Sequence, residues 1–291
     1  MVAIEFPFAA ELAFRLEEHF CDRPDSRWVL FRKRGAERFL LSGYFSSEND
    51  AIEEWNRLAM AFPEMPPPPP CSPVRDQDWK TAYREHFKPW RCRDLLWLPL
   101  WLRDGYAVGP EVTVVALDPG MAFGTGDHAT TRLCAGRLLD CRDRWKRELE
   151  HRSVIDAGCG SGILAISAAC MGFAPVRGFD NDPDAVRIAR ENACINSVGD
   201  AIAFQDAGLP DGLEQRSADL ILANIQADVL TANAEAFLGS VNKGGVLCLS
   251  GILREECAEV EAHFRSAAAR MGRPADFDSR AEGDWCDLCV Q

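Results

Sequence analysis

The sequence predicts an α/β protein in which a doubly wound, mostly parallel sheet follows a small α+β domain. Two observations carry this prediction. From Ser153 onward, short apolar segments of strand length alternate with stretches whose apolar residues recur at helical spacing. Before that region, the run MPPPPP at 65–70 favours extended polyproline and sets apart an N-terminal part with a different order of elements.

The larger part contains seven segments with strand character. Five of them are apolar and are predicted to be parallel strands, and they read SVIDA, VRGFD, AIAFQ, ADLILAN and GVLCLS. Helical stripes lie between these segments, for example Val186, Ala189 and Ala193. The closing segments DFDSR and DWCDLCV are expected to pair antiparallel at the sheet edge.

The N-terminal part predicts a β-α-β-β-α order of elements. VAIEF alternates as a strand does, and Leu12, Leu16 and Phe20 fall on one face of a helix. WVLFRK and RFLLSGY flank a turn at Gly35, and a second helical stripe occupies 52–62. This pattern is typical of a small two-layer domain.

We therefore expect three regions along the chain. A small α+β domain occupies 1–65, a proline-rich linker with a connecting helix occupies 66–106, and the sheet domain occupies 107–291. Within the linker, Trp79, Tyr83 and Phe87 recur at four-residue intervals, which predicts that they line the buried side of the connecting helix.

Composition excludes several classes of protein. With 47% hydrophobic and 26% charged residues, a chain of 291 residues can bury a large core. The net charge of −13 disfavours direct nucleic-acid binding and suits a basic protein partner. Apolar stretches are too short to span a membrane, and Glu5 and Glu11 stand where a signal peptide needs basic residues, so we expect a cytoplasmic location.

The cysteines predict reduced thiols and no metal centre. Several of the twelve, such as Cys159 and Cys248, lie in apolar runs, where a thiol behaves as a small hydrophobic side chain. Cys286 and Cys289 form a C-x-x-C pair, but no second pair completes a tetrahedral zinc site.

The segment VIDAGCGSGILAISAA, residues 154–169, predicts a ligand site. A strand is followed by Gly158, Gly160 and Gly162 and then by an apolar helix, and such a turn lets a ligand approach bare backbone. Gly160, Gly162 and Ala165 also satisfy the dinucleotide spacing G-x-G-x-x-A. The loop alone therefore leaves a nicotinamide or flavin enzyme open.

Three polar residues lie at the predicted carboxyl edge of the sheet. Asp156 stands two residues before the first glycine, where dinucleotide sites usually have an apolar residue. Asp180 ends the second strand, where its carboxylate can accept both hydroxyls of an adenosine ribose. Asn224 ends the fourth strand beside the glycine loop, where its amide can accept a hydrogen bond from a substrate amine.

Two motifs resemble known families. The D-x-G-x-G-x-G arrangement from Asp156 resembles motif I of class I methyltransferases. Upstream, LDPGMAFGTGDHATTRLC at 117–134 resembles the hallmark of the bacterial ribosomal protein L11 methyltransferases, and DWKTAYREHFKP precedes it as that family's pattern requires. The resemblance spans Asp78 to about Ser250 and is weaker over the first 65 residues.

This resemblance implies a seven-stranded, Rossmann-like catalytic domain that uses S-adenosyl-L-methionine. It also implies that the N-terminal domain recognises ribosomal protein L11 and that the enzyme methylates α-amino and lysine ε-amino groups of that protein. Together, the motifs and the residues give these candidate cofactor-binding positions: Phe123, Gly124, Thr130, Thr131, Asp156, Gly158, Gly160, Gly162, Asp180 and Asn224.

Two residues are candidates for catalysis. We expect Asn224 to orient the amine, because methyl transfer from a sulfonium requires alignment and neither a metal nor a covalent intermediate. His128 is the titratable side chain that could take the amine proton, although it could equally hold the segment in place by a hydrogen bond. Asp127, Ala129 and Gln226 replace a threonine, a proline and an apolar residue of the family pattern, and they leave the acceptor preference open.

Three other functions are compatible with the sequence. The same chemistry could act on another protein, such as a lysine of electron-transfer flavoprotein, whose methyltransferases share much of this motif set. A nicotinamide-dependent oxidoreductase could use the same sheet, although Asp156 and the AFGTG segment disfavour it. A cofactor-binding interaction module without catalysis is the third.

Overall fold

A computed structural model describes residues 2–8, 12, 15–16, 27–31, 39–73, 88–118, 128–214 and 216–291. The chain forms two compact units, Met1–Ala82 and Tyr83–Gln291, here called unit 1 and unit 2. Of the described helices, none is long and apolar enough to cross a membrane.

Unit 1 is a four-stranded antiparallel sheet with a helix on one face. Its elements are β1 (Val2–Phe8), β2 (Trp28–Phe31), β3 (Phe39–Phe45), α1 (Glu48–Ala61) and β4 (Ser72–Pro73), and the strand order is β2-β3-β1-β4. The Ser47 side chain accepts from Asp50 N at 3.2 Å and caps α1. Trp55 of α1 packs edge-on against Trp28 of the sheet. The small α+β domain is confirmed.

The proline run lies along unit 1. Met65 is buried in the core of this unit, and Trp55 Nε1 donates to Pro66 O at 3.0 Å. Ser72 and Pro73 then pair with the start of β1. The first part of the predicted linker is therefore attached to unit 1. The predicted connecting helix with Trp79, Tyr83 and Phe87 lies outside the described residues.

Unit 2 contains the predicted seven-stranded sheet. Its strand order is β10-β9-β8-β11-β12-β14-β13, and these strands are β8 (Val154–Ala157), β9 (Val176–Asp180), β10 (Ile202–Asp206), β11 (Ala218–Asn224), β12 (Val241–Leu253), β13 (Phe277–Glu282) and β14 (Trp285–Val290). The first five are parallel, and β14 and β13 add antiparallel at one end. The fold class and the antiparallel closing pair are confirmed.

Helices cover both faces of this sheet. Successive residues of a strand point to opposite faces, and in these strands both sets of residues are apolar. Val154 and Leu220 face one core, whereas Ile155 and Ile221 face the other. The first core is covered by α2 (Ala129–Trp145), α3 (Ile163–Cys170) and α4 (Pro183–Ile195). The second is covered by α5 (Ala227–Ala232), α6 (Ala234–Ser240) and α7 (Cys257–Arg270).

The same alternation separates the C-x-x-C pair. Cys286 and Cys289 lie on β14 three residues apart, so their side chains point to opposite faces. Cys286 belongs to one core and Cys289 to the other. The two sulfur atoms therefore cannot bind one metal ion together.

A second, three-stranded sheet packs on α3 and α4. It consists of β5 (Trp90–Cys92), β6 (Leu95–Pro99) and β7 (Thr113–Leu117), and a 3₁₀ helix (Leu100–Gly105) connects the last two. Trp97 Nε1 donates to Ser167 Oγ at 2.9 Å and fixes this sheet on α3. The last part of the predicted linker thus belongs to unit 2, while the division at 65 and 106 into functional regions stays a prediction.

A buried ion pair joins α2 to the C-terminal hairpin. Arg137 and Asp287 are 4% and 0% exposed, and the guanidinium donates to both carboxylate oxygens at 2.7 Å. Burial opposes the charge on Arg137, but its hydrogen bonds to Asp287 and Asp278 raise the pKa of this guanidinium above its ordinary value. The pair holds β14 on the helix that begins at the candidate site.

Arg137→Ala should lower the free energy of unfolding by about 3–5 kcal/mol, because it leaves the Asp287 carboxylate buried without its counter-charge. The double variant Arg137→Met/Asp287→Leu removes both charges and should be clearly less destabilised than the single variant. Urea unfolding of the three proteins measures this difference. Equal destabilisation of the single and double variants would show that the unpaired Asp287 carboxylate is not the source of the lost free energy of unfolding.

Candidate active site

A pocket of about 650 Å³ lies at the carboxyl ends of β8, β9 and β11. This is the edge at which ligands bind in parallel α/β sheets, and the volume is within the range of small-molecule sites. The described residues that line it are His128, Thr130, Gly158, Phe179, Asp180, Asn181, Ala207, Gly208, Leu209, Asn224, Ile225, Gln226, Val229, Asn233, Gly251 and Trp285.

The glycine loop between β8 and α3 forms one wall of the pocket. Gly158, Gly160 and Gly162 have φ values of +72°, +51° and +80°. A Cβ atom at Gly158 would lie 2.4 Å from Ile225 Cγ2, so only a glycine fits between the loop and the residue after β11. Close packing against Ile225 thus requires a glycine at 158, and this residue adds backbone without a side chain to the pocket wall.

Asp180 joins the glycine loop to the end of β9. One carboxylate oxygen accepts from Gly160 N at 2.8 Å, and the other accepts from Asp182 N at 3.0 Å. The side chain also lines the pocket. Because each carboxylate oxygen can accept a second hydrogen bond, Asp180 retains acceptors for two ligand hydroxyl groups.

Asp156 lies beneath the loop rather than in the pocket wall. It is 1% exposed, and its carboxylate accepts from Ala165 N at 2.9 Å. Burial raises the pKa of Asp156 to about 7, the hydrogen bond from Ala165 opposes this shift, and the nearby charge of Asp180 adds to it. Asp156 thus supports the start of α3 from behind.

Asn224 and the start of α2 meet at the pocket. Asn224 Nδ2 donates to Thr131 Oγ1 at 3.1 Å, which fixes the amide, and among the described residues no hydrogen bond reaches its Oδ1. Ser250 Oγ donates to Thr130 O at 3.0 Å and ties the helix start to β12. The carbonyl end of the Asn224 amide is therefore available on the pocket side.

His128 contacts Thr130 and Trp285. Its Nδ1 lies 2.7 Å from Thr130 Oγ1, and its ring meets the Trp285 indole edge-on with centroids 4.7 Å apart. The residue occupies the N-cap position of α2, although its side chain makes no capping hydrogen bond. These contacts support the holding role that the sequence left open beside the base role.

The predicted residues fall into three groups. His128, Thr130, Gly158, Asp180 and Asn224 line the pocket. Thr131, Asp156, Gly160 and Gly162 are not among the lining residues: Thr131 and Gly160 bond to Asn224 and Asp180, whereas the Asp156 side chain and Gly162 lie at the start of α3. Phe123 and Gly124, together with the substituted position Asp127, lie outside the described residues.

Sequence reasoning missed several pocket residues, of which Trp285 and Gly251 are two. Trp285 begins β14, which the sequence identified only as an edge strand. Gly251 follows Ser250 within β12, and a Cβ there would lie 2.2 Å from Ile225 O. A glycine directly after a buried strand segment was the available signal for Gly251, whereas no local pattern distinguishes Trp285 from a core residue.

Comparison with known proteins identifies the family. The family described as ribosomal protein L11 methyltransferase (PrmA) matches residues 20–291. The chain belongs to this family. Membership makes it an S-adenosylmethionine-dependent methyltransferase and sets aside the oxidoreductase and the interaction module.

Individual relatives agree with this assignment. A ribosomal protein L11 methyltransferase from Methylococcus capsulatus is 38% identical over 252 residues, which are 85% of this chain and 76% of that protein. One from Pseudomonas aeruginosa is 43% identical over 192 residues, 66% of this chain and 62% of that protein. The crystal structure of a ribosomal protein L11 methylase from Lactobacillus delbrueckii subsp. bulgaricus superposes with a TM-score of 0.59 at 29% identity, over 69% of this chain and 95% of that one.

The described residues fit S-adenosylmethionine. Gly158 contributes backbone without a side chain to the pocket wall, and Asp180 offers acceptors to ribose hydroxyls. Asp180 is also the only carboxylate among the described residues that line the pocket, and lysine and arginine are absent from that set, which suits a cofactor with a positively charged sulfonium.

Asp156→Asn should stabilise the protein without cofactor in a pH-dependent way. Because the folded pKa is about 7 and the ordinary value is 3.8, the wild-type aspartate lowers the free energy of unfolding increasingly as pH rises between these values. Above the folded value the penalty is constant, at up to about 4 kcal/mol. Urea unfolding at pH 5, 6, 7 and 8 should show the gap between variant and wild type widening and then levelling. A gap that does not change with pH would contradict a raised pKa.

Proposed function

We propose that this enzyme methylates α-amino and lysine ε-amino groups of ribosomal protein L11. The observation that carries the proposal is the pocket in which Asp180 and the glycine loop lie together with Asn224, His128 and Trp285. The first two suit the adenosine part of the cofactor, and the others supply an amide and aromatic rings for an amine. The names of the relatives support L11 as the substrate over another protein such as electron-transfer flavoprotein.

The cofactor supplies a methyl group activated by the sulfonium, so the residues of this chain have to position and deprotonate the amine. At pH 7 about one α-amine in ten is neutral, against about one lysine in two thousand. In this proposal Asn224 accepts a hydrogen bond from the amine through Oδ1, while Thr131 holds the other end of the amide. A lysine substrate additionally needs a site that removes water and accepts a proton.

His128 and Trp285 are proposed to form the side of the pocket that binds the methyl-accepting amine. An indole face attracts an ammonium group and also covers the aliphatic part of a lysine side chain, so it favours entry and excludes water. His128 could take the proton as the amine becomes neutral. The edge-on ring contact and the Thr130 hydrogen bond keep the imidazole in one orientation for either role.

Unit 1 is proposed to recognise the protein substrate, and residues 1–65 remain our expected boundary for that role. Unit 1 contributes no described residue to the pocket, which leaves it available for another role, and its sheet has the exposed apolar side chains Val29 and Tyr44, which a partner could cover. The net charge of −13 suits a basic partner. A ribosomal protein as substrate implies that the enzyme works in the cytoplasm.

Incubation with methyl-labelled S-adenosylmethionine and unmethylated L11 should transfer label to the N-terminus and to lysine residues, as peptide mass spectrometry would locate. Unmethylated electron-transfer flavoprotein serves as the competing substrate in a parallel reaction. Label on the flavoprotein and none on L11, with cofactor binding demonstrated, would overturn the proposed substrate and leave the chemistry intact.

Asn224→Ala should lower kcat by about 10-fold to 100-fold, the range expected for a lost orienting contact, with cofactor Kd changed by less than about 3-fold. Thr131→Val keeps the amide but removes the hydroxyl that holds it, so its effect should be smaller. Full activity of Asn224→Ala with normal cofactor affinity would eliminate the orienting role.

For His128→Ala, a pH-rate profile from 6 to 9 parallel to that of wild type would eliminate the base role.

A further inference from the structure

Asn192 lies on α4 outside every motif that the sequence analysis identified. It is 1% exposed, and both ends of its amide are hydrogen-bonded. Oδ1 accepts from Asp118 N at 3.0 Å, and Nδ2 donates to Ser161 O at 3.0 Å. A buried amide with a donor and an acceptor engaged in opposite directions is highly specific for its position.

Both partners of Asn192 belong to segments of the site. Ser161 lies in the glycine loop, three residues after Gly158 and one residue after the amide that donates to Asp180. Asp118 follows β7 directly and is the second residue of the signature segment 117–134, whose later residues His128 and Thr130 line the pocket. One side chain therefore joins the two segments.

A neighbouring asparagine makes a similar pair of bonds without touching the glycine loop. Asn196 lies one helical turn after Asn192, and its Oδ1 accepts from Ala116 N at 2.8 Å. Its Nδ2 donates to Ala116 O at 2.6 Å and to the backbone Asn192 O at 2.8 Å. Asn196 therefore fixes β7 on α4, but it reaches neither Asp118 nor Ser161. The chain thus contains its own matched control.

We propose that Asn192 is a positioning residue for the cofactor site, which sets the glycine loop and the start of the signature segment at a fixed separation before the cofactor arrives. A loop that is ordered in advance loses little conformational entropy when the ligand binds, whereas a loosened loop must be ordered at the expense of binding free energy. Loss of Asn192 therefore acts on cofactor affinity through Ser161 and Asp118, without any contact between Asn192 and the cofactor.

The test compares Asn192→Ala, Asn192→Leu and Asn196→Ala with wild type. Leucine has nearly the shape of asparagine and no hydrogen-bonding atoms, so it keeps the packing while it removes both bonds. Isothermal titration calorimetry with S-adenosylhomocysteine gives Kd, and circular dichroism gives Tm and confirms folding at the titration temperature.

Both Asn192 variants should raise Kd by about 10-fold, because about 1.4 kcal/mol of binding free energy is then used to order the loosened loop. Asn196→Ala should lose a similar amount of Tm and keep Kd within about 2-fold of wild type. With a protein substrate, the KM for S-adenosylmethionine should rise in the Asn192 variants more than kcat falls, because the effect lies in cofactor binding.

Three results would overturn the proposal. They are an unchanged Kd in a folded Asn192 variant, an equal rise in Kd for Asn196→Ala, and failure of both Asn192 variants to fold, which would make the residue a requirement of the fold. The binding measurement uses no protein substrate, so its outcome is independent of whether L11 is the methyl acceptor.

Discussion

The turn that connects β8 to α3 is the constraint on which the rest of the site depends. Gly158 N and Cys159 N both donate to Phe179 O at 2.9 Å, and Gly160 N donates to the Asp180 carboxylate. The end of β9 therefore fixes the conformation of the loop, and its residues Phe179 and Asp180 also line the pocket. The residues that hold the glycine loop thus also form part of the pocket wall. A shift of β8 or β9 would therefore change the shape of the pocket.

This arrangement has an electrostatic cost that a cationic ligand can offset. Asp156 is buried beneath the loop, and burial and then the nearby charge of Asp180 raise the pKa of its carboxyl group. A cationic ligand bound in the pocket would place a positive charge near these carboxylates and would favour their charged forms.

The C-terminal hairpin contributes to the site although it carries none of the recognised motifs. Trp285 reaches the pocket from the start of β14, and the Arg137–Asp287 pair two residues further on fixes that strand on α2. Helix α2 begins directly after His128. Ser250 holds the start of this helix through Thr130 O, and Asp287 holds its middle through Arg137. The pocket wall thus combines the start of α2 with the C-terminal hairpin.

The sequence by itself determined the strands of the seven-stranded sheet and the glycine loop with its acidic neighbours. Strand alternation, the glycine spacing and the acidic residues at Asp156 and Asp180 are local patterns, and local patterns follow directly from side-chain period and backbone dihedral preference. The family signature at 117–134 extended that prediction to His128, Thr130 and Thr131.

Only the tertiary structure decided which distant residues complete the site. Trp285, Gly251 and Asn192 act through contacts with residues far along the chain, and no periodic pattern specifies such a contact. The same reason explains the C-x-x-C pair, which strand pleating divides between two cores, and the proline run, which Trp55 fastens to unit 1. Local sequence sets what each segment can be, and long-range packing sets what it touches.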